Sequence, residues 1–478
     1  MQPLLFAGLL AAGNTFGQQV NDPVDSIFRP AAGPVDTPAP LLPQPAPRSS
    51  PRRPAPLDFK PGDRILLLGD DLLRGDLALG YLETRLVSQS PSVQTFVRNL
   101  SWFTNSPLAN PAYRGDTNRW LAELLAEVAR VRPTSVLLAY GTAAAEAGPA
   151  GLVDFHANYD RLIDGILKLT PATPPTLALF SPSFCEAGPG PAEADANKRN
   201  VVREQYHDVI IGIVTNRVWL YVPAFQDLQY AAGMNEARSQ TGAPAPRLTV
   251  DGTRLTAYGY SRVQLAMQRG LRWQPNNWRF GLQSDNTLRS GGFGIRITDP
   301  KRTETGATLS FMEDLLPAPN PPGPLDLEPD TRPQCYIQIP KLPPGGYELK
   351  VDGLTVLTNT DQDWARFVVV SAGPSWDQAE QLRQAIVAKN ARVTDRWRTT
   401  PSQGTPGQID PVLFADPEIL ALEARIRELA RPVAHQLEVV RRGGAPTAPT
   451  EAPKAPRVRP PLANPPPPPP APPAPNRP

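Results

Sequence analysis

The chain is poor in the side chains from which crosslinks and cofactor sites are built. It has two cysteines, Cys185 and Cys335, far apart in 478 residues. Two such cysteines cannot form a disulfide framework, a zinc site or a CxxC redox pair. Three histidines, His156, His207 and His435, are too few for a histidine-rich metal site. No metal and no cofactor are therefore expected. No GxGxxG or Walker-type phosphate loop occurs, and Gly291-Gly292-Phe293-Gly294 reads as a turn. A dominant charge is also missing: 48 basic and 46 acidic residues leave a net charge of +2. That balance gives no electrostatic ground for nucleic acid or an anionic membrane as the main partner. No apolar run reaches the ~20 residues that a transmembrane helix needs.

Proline is abundant instead, with 61 residues concentrated at the two ends and in one internal stretch. Residues 1–17 open with a short apolar run followed by small and polar residues, as in a secretory signal peptide, but without a positive n-region. A misplaced start codon and a non-signal role are the alternatives. The expected location is outside the cytoplasm, periplasmic or extracellular. Residues 18–57 have no apolar period and read as a disordered linker. Residues 443–478, with the run Pro465 to Pro470, read as a polyproline spacer.

Between residues 58 and 271 apolar runs alternate with amphipathic stretches. Arg64 to Leu68, Val93 to Leu100, Ser135 to Tyr140, Thr176 to Phe180 and Val218 to Val222 have the continuous apolar character of strands buried on both faces. The helix over Thr117 to Arg132 places Trp120, Leu124, Val128 and Val131 on one side, and Pro133 stops it. This predicts an α/β fold, a parallel sheet flanked by helices, with its site beyond the strand C-termini. Residues 272–372 carry short strand-like runs between Gly- and Pro-rich turns and predict a small antiparallel β domain. The span Ala318 to Pro333 reads as a proline-rich loop within it. Residues 373–442 predict two C-terminal helices, the second starting at Asp416-Pro417, an N-cap with proline at the first helical position.

Four blocks lie where strands end. The first strand runs into Leu68-Gly69-Asp70-Asp71-Leu72, the second into Arg98-Asn99-Leu100-Ser101-Trp102, and the third into Tyr140-Gly141-Thr142-Ala143-Ala144. The fourth block, Asp251-Gly252-Thr253-Arg254, precedes a helix that carries Gly259-Tyr260. In this order the blocks resemble the SGNH (GDSL-like) hydrolase family, a flavodoxin-like α/β fold. The resemblance covers about Phe59 to Leu271. A looser one follows it: some bacterial exported relatives have a β insert, then a helix ending in Lys-Asn and an Arg-Trp-Arg segment, here Lys389-Asn390 and Arg396-Trp397-Arg398.

The resemblance implies a serine nucleophile where this chain has Asp71. It implies an oxyanion glycine at Ser101, an oxyanion asparagine at Ala143, and a histidine base at Arg254, while Asp251 is retained. Aspartate is a poor nucleophile for acyl transfer, and arginine stays protonated and cannot act as a base. Ser101 is the mildest change, because its backbone N–H can still serve an oxyanion. The paired exchanges suggest an Asp71–Arg254 ion pair with Asp251 beside Arg254; two unrelated surface charges are the alternative. Ser181, Ser183, Trp102, Phe103 and Tyr140 are expected near the site rim, as ordinary loop or packing residues. The resulting expectation is a catalytically inactive binding or scaffold module at the cell envelope, with an envelope glycan or another envelope protein as partner. The alternative is an esterase or carbohydrate deacetylase using displaced residues.

Overall fold

Continuous apolar runs place both faces of a strand in a core, and the run Arg64–Gly69 does so here. In the computed structural model of the chain, Ile65 and Leu67 point into one core and Leu66 and Leu68 into another. The structure describes residues 53–101, 116–188, 190–242, 245–292, 294–323, 335–399 and 416–442. The leader, most of the linker, the tail, Trp102, Phe103, residues 324–333 of the proline-rich loop and the side chains of Arg396, Trp397 and Arg398 lie outside this description. Leu57, at the end of the span read as linker, is buried, and its N–H donates to the Leu271 carbonyl at 3.1 Å.

The α/β part runs β1 (Arg64–Gly69), α1 (Asp71–Leu79), α2 (Tyr81–Ser88), β2 (Phe96–Asn99), α3 (Thr117–Val131) and β3 (Ser135–Ala139). It continues with α4 (Leu152–Leu169), β4 (Thr176–Phe180), α5 (Glu193–Arg217), β5 (Leu220–Val222), α6 (Ala224–Gln240) and α7 (Ala257–Gly270). All pairings are parallel, in the order β2-β1-β3-β4-β5. This is the flavodoxin-like order, which puts ligand sites at the carboxyl ends of the strands. Helices α1, α2, α6 and α7 cover one face, and α3, α4 and α5 the other.

The β part adds β6 (Trp278–Leu282), β7 (Leu288–Gly292), β8 (Ile295–Thr303), β9 (Gly306–Glu313), β10 (Cys335–Gln338), β11 (Gly346–Val351) and β12 (Leu354–Thr360). A short helix α8 (Asp361–Trp364) and β13 (Val368–Val370) follow. Two sheets, β13-β10-β6-β7 and one containing β12, β11, β9 and β8, share one core around Trp278, Phe311, Ile337, Tyr347 and Leu349. The part is a sandwich, but not wholly antiparallel, because β6 and β10 pair in parallel. That pairing joins segments distant in sequence, so no hairpin turn announces it.

Helices α9 (Pro374–Thr399) and α10 (Pro417–Leu429) then leave the sandwich and pack on the α/β part. A further strand, β14 (Ala434–Arg441), returns and inserts between β11 and β9. It falls in the span read as helical. Its buried residues alternate as His435, Leu437 and Val439, the period of a strand with one face inward.

The helix docking is built on buried charge. Lys389 on α9 pairs with Glu83 on α2, and its Nζ donates to the Val97 carbonyl at 3.2 Å. Arg98 on β2 pairs with Glu423 on α10 at 2.6 Å, both buried. Arg383 Nη1 donates to the Leu79 carbonyl at the end of α1 at 2.6 Å. Burial pushes the Lys389 ammonium down, and Glu83 opposes that shift. Breaking a buried pair leaves an uncompensated charge and costs about 3–5 kcal/mol. Lys389→Met is therefore expected to lower unfolding stability by that order in urea titrations. The double variant Lys389→Met/Glu83→Gln should recover part of the loss; a single variant as stable as the parent would show that the pair contributes nothing.

Candidate functional site

Strands β1 and β3 approach so closely at their ends that residue 69 must be glycine: a Cβ there would lie 2.4 Å from the Ala139 carbonyl oxygen. The chain then turns at Asp70, whose N–H donates to the same carbonyl at 2.9 Å. The Asp70 side chain is buried. Its Oδ1 accepts from Leu72 N at 3.4 Å and caps α1, while its Oδ2 accepts from Gly141 N at 3.2 Å and Ala143 N at 3.1 Å. One carboxylate thus joins the ends of β1 and β3 to the start of α1. Burial pushes the Asp70 carboxyl up to about 7, against the Ala143 N–H, which lowers it.

Asp71, the first residue of α1, is half-buried beside this junction. Burial pushes its carboxyl up; Arg74, Arg203 and Arg254 oppose the shift and Asp251 adds to it. Asp71, Asp251 and Arg254 therefore share one electrostatic neighbourhood. The expected Asp71–Arg254 ion pair is not formed. Arg254 Nε instead donates to Asp251 Oδ2 at 2.7 Å, and the Arg254 and Thr253 N–H groups donate to Asp251 Oδ1 at 2.8 and 3.1 Å. The three-residue spacing lets the turn satisfy its own charge. With the two side chains 66% and 42% exposed, this pair adds little stability. Burial raises the Asp251 carboxyl, but the hydrogen bonds from Arg254 outweigh it and hold it below the usual range.

The turn is anchored from below. Buried Glu186 accepts from Leu248 N, Thr249 N and Thr249 Oγ1 at 3.2, 2.8 and 2.7 Å. Thr256 caps α7 by accepting from Gly259 N at 3.1 Å. Gly259 is required because a Cβ would lie 2.2 Å from the Leu248 carbonyl oxygen. Tyr260 Oη donates to the Leu72 carbonyl at 2.7 Å and ties α7 to α1. The Gly-Tyr pair after the fourth block is therefore a structural lock.

The second block behaves differently from the expectation. Ser101 N donates to Asn99 Oδ1 at 3.1 Å, and Asn99 Nδ2 donates to the Leu73 carbonyl at 2.8 Å. The N–H expected to remain open at Ser101 is thus already bonded, because Asn99 folds back over it. Ser101 Oγ is buried and has no hydrogen-bond partner among the described residues. Ala143 contributes a methyl group, and its N–H belongs to Asp70.

Arg203, absent from the sequence reading, is the buried cation of the site. It donates to the Ser183 carbonyl at 3.1 Å and Thr253 Oγ1 at 3.2 Å. Burial lowers its pKa. The available signal was its place on the inward stripe of α5 with Ala196, Asn200, Tyr206 and Ile210. Ser181 Oγ accepts from Phe225 N at 2.7 Å, and Ser183 N donates to Thr142 Oγ1 at 2.9 Å, so both serines hold loops. Tyr140 packs edge-on against Tyr159. Cys185 is buried with its backbone clasped by Asn200, and burial pushes its thiol up. His156 lies beside Asp160 on α4, His207 contacts Asp208 and Gln226, and His435 bonds Asp352 in the sandwich. Among the described residues none of the three hydrogen-bonds a serine. An open cleft of about 530 Å³ lies beside the turn, lined by Gly190, Pro191, Asp195, Lys198, Arg199 and Asp251. Among the described residues no cluster of His, Cys, Asp or Glu is placed to hold a metal, and no helix is long and apolar enough to cross a membrane.

No family model matches the chain. No curated protein matches it either. Solved structures do. A gut microbial diltiazem-metabolizing enzyme superposes with a TM-score of 0.58 at 12% identity, over 82% of this chain and 99% of that one. A Parabacteroides merdae protein described as a GDSL-like lipase aligns over 46% of this chain and 100% of that one, with TM-score 0.36 and 14% identity. An acetylxylan esterase from Geobacillus stearothermophilus aligns over 46% and 98%, with TM-score 0.33 and 16% identity. At these identities the likeness concerns the fold alone, and only the first superposition is close enough to carry it. Its reach over 82% of the chain extends past the α/β part into the sandwich and helices. The strand order and the placement of the four blocks give the α/β part an SGNH/GDSL-like, flavodoxin-like fold, and the first superposition agrees with it.

The Asp70 junction has a pH signature. A carboxyl raised from 3.8 to about 7 binds its proton more tightly in the folded chain. Its stabilising contribution is full below the unfolded value and is lost as pH rises through about 7. Asp70→Asn, which does not titrate, should therefore cost more stability at pH 5 than at pH 7.5 in urea unfolding. A gap between parent and variant that widens with rising pH would contradict this assignment.

Proposed function

We propose that the chain is a binding or scaffold module of the cell envelope, built on the SGNH/GDSL-like fold, and that its α/β site does not hydrolyse esters. The observation that carries this reading is the state of the oxyanion positions. The Ser101 N–H is bonded to Asn99 Oδ1, and Ala143 has a methyl group where the family has a donating asparagine side chain. Loss of a single oxyanion donor costs about 10²–10³ in rate. Here one donor is occupied and another is replaced by a methyl group, the nucleophile position holds Asp71, and Arg254 stands where the family has its histidine base. The apolar first residues support a location outside the cytoplasm, with an envelope glycan or another envelope protein as partner.

A second reading, an esterase or carbohydrate deacetylase with displaced residues, draws on one observation: Ser101 Oγ is buried without a partner among the described residues. The two readings separate in one experiment. The purified chain should hydrolyse p-nitrophenyl acetate no faster than its Asp71→Ala variant, and a fluorophosphonate probe should not label it. Robust turnover or labelling that disappears in Ser101→Ala would establish the second reading and overturn the first.

A further inference from the structure

The outer face of the four-stranded sheet carries a chemistry that the α/β site does not explain. Inward residues of β6, β10 and β13, such as Phe280, Ile337 and Val368, fill the sandwich core. The residues between them face out. Tyr336 on β10 is flanked across the sheet by Arg279 on β6 and Val369 on β13. In the next row Gln338 lies beside Gly281, and Gly281 beside Arg289. Phe367 stands 46% exposed with its ring edge-on to Tyr336, centroids 6.0 Å apart.

Two arginines, Arg279 and Arg289, are exposed at this face. Among the described residues neither enters an ion pair; Arg289 lies within electrostatic range of Asp285. Strands about 4.8 Å apart place such side chains at the spacing of groups on one small ligand unit. The glycine at 281 leaves a floor between two amides. Gln338 Oε1 and Gln283 Nε2 lie 3.2 and 3.3 Å from where a Cβ of residue 281 would be. Gln338 Nε2 is held by the Ala365 carbonyl at 2.9 Å, so its Oε1 is presented as an acceptor.

We propose that this face binds an acidic polysaccharide of the uronic-acid type. A sugar ring offers an apolar C–H face to Phe367 and Tyr336. Its hydroxyls both donate and accept, matching the amide pair, and its carboxylate suits the planar fork of Arg279. Single-stranded nucleic acid is the poorer fit. It needs a series of base-stacking platforms along a basic groove, and the edge-on aromatic pair gives one platform on a chain of net charge +2. The inference rests on the binding-module reading and names its surface. Its outcome is separate from the ester assay, which reads the other end of the molecule's chemistry.

Affinity electrophoresis of the full chain in gels containing polygalacturonate tests it, with neutral dextran gels and a fluorescent oligo-dT as comparisons. Retardation is expected in polygalacturonate only. Phe367→Ala and Arg279→Ala, both at exposed positions, should each weaken binding about tenfold or more, as central contacts of an interface do. A thermal melt of each variant verifies folding. No retardation of the parent, equal retardation by dextran, unchanged binding in both variants, or tighter binding of oligo-dT would each overturn the assignment.

Discussion

The buried carboxylate of Asp70 accepts hydrogen bonds from three backbone N–H groups that belong to two different segments. A buried donor left without a partner costs about 1–3 kcal/mol. The acceptor therefore decides where those segments can lie. Through Oδ2 it holds the loop after β3 at Gly141 and Ala143, and through Oδ1 it starts α1 at Leu72. The position of Asp71 follows from that start. So does the Leu72 carbonyl that receives Tyr260 and draws α7 against α1. The ends of β1 and β3 and two helices are arranged around one side chain.

Charge at the site is settled within each segment before it is settled between them. Arg254 is three residues from Asp251 and closes on it, which leaves Asp71 to a diffuse field of Arg74, Arg203 and Arg254. An ion pair replacing the serine–histidine contact would have required Arg254 to leave a partner already within reach. Arg203 adds a buried cation that ties the loop after β4 to the turn through Ser183 and Thr253. The site is supported from below by Glu186 and Arg203, and among the described residues no histidine hydrogen-bonds a serine.

The C-terminal segment binds the two halves of the chain together. After β13 the chain crosses to the α/β part, where α9 and α10 bury Lys389 against Glu83 and Glu423 against Arg98. It then returns as β14 to complete the sandwich between β11 and β9. The helix that carries Asp71 is thus held by α7 through Tyr260 and by α9 through Arg383. Lys389, conspicuous in sequence beside Asn390, has a structural reason for its place: it is the buried cation of this docking.

Local periodicity carries the α/β part. An apolar run such as Ile65–Leu68 fits a strand buried on both faces, and the inward stripe of α3 is plain from its spacing. The four blocks at strand ends were readable for the same reason, since a turn after a strand is a local event. Strand β14 was not, because it follows a helix and its partners lie about a hundred residues earlier. Edge strand β12 has no local sign either, because its residues are exposed or half-buried without alternation. The parallel pairing of β6 with β10 has no local sign at all.

The residues at the site were likewise divided. Their identities alone placed a carboxylate at Asp71, a methyl group at Ala143 and a guanidinium at Arg254, because side-chain chemistry is fixed by residue type. Only the tertiary structure decided that the Ser101 N–H is bonded to Asn99, that Arg254 turns to Asp251, and that Arg203 lies beneath them. The choice of hydrogen-bond partner depends on which donors and acceptors the fold brings within about 3 Å, and no spacing in the sequence contains that distance.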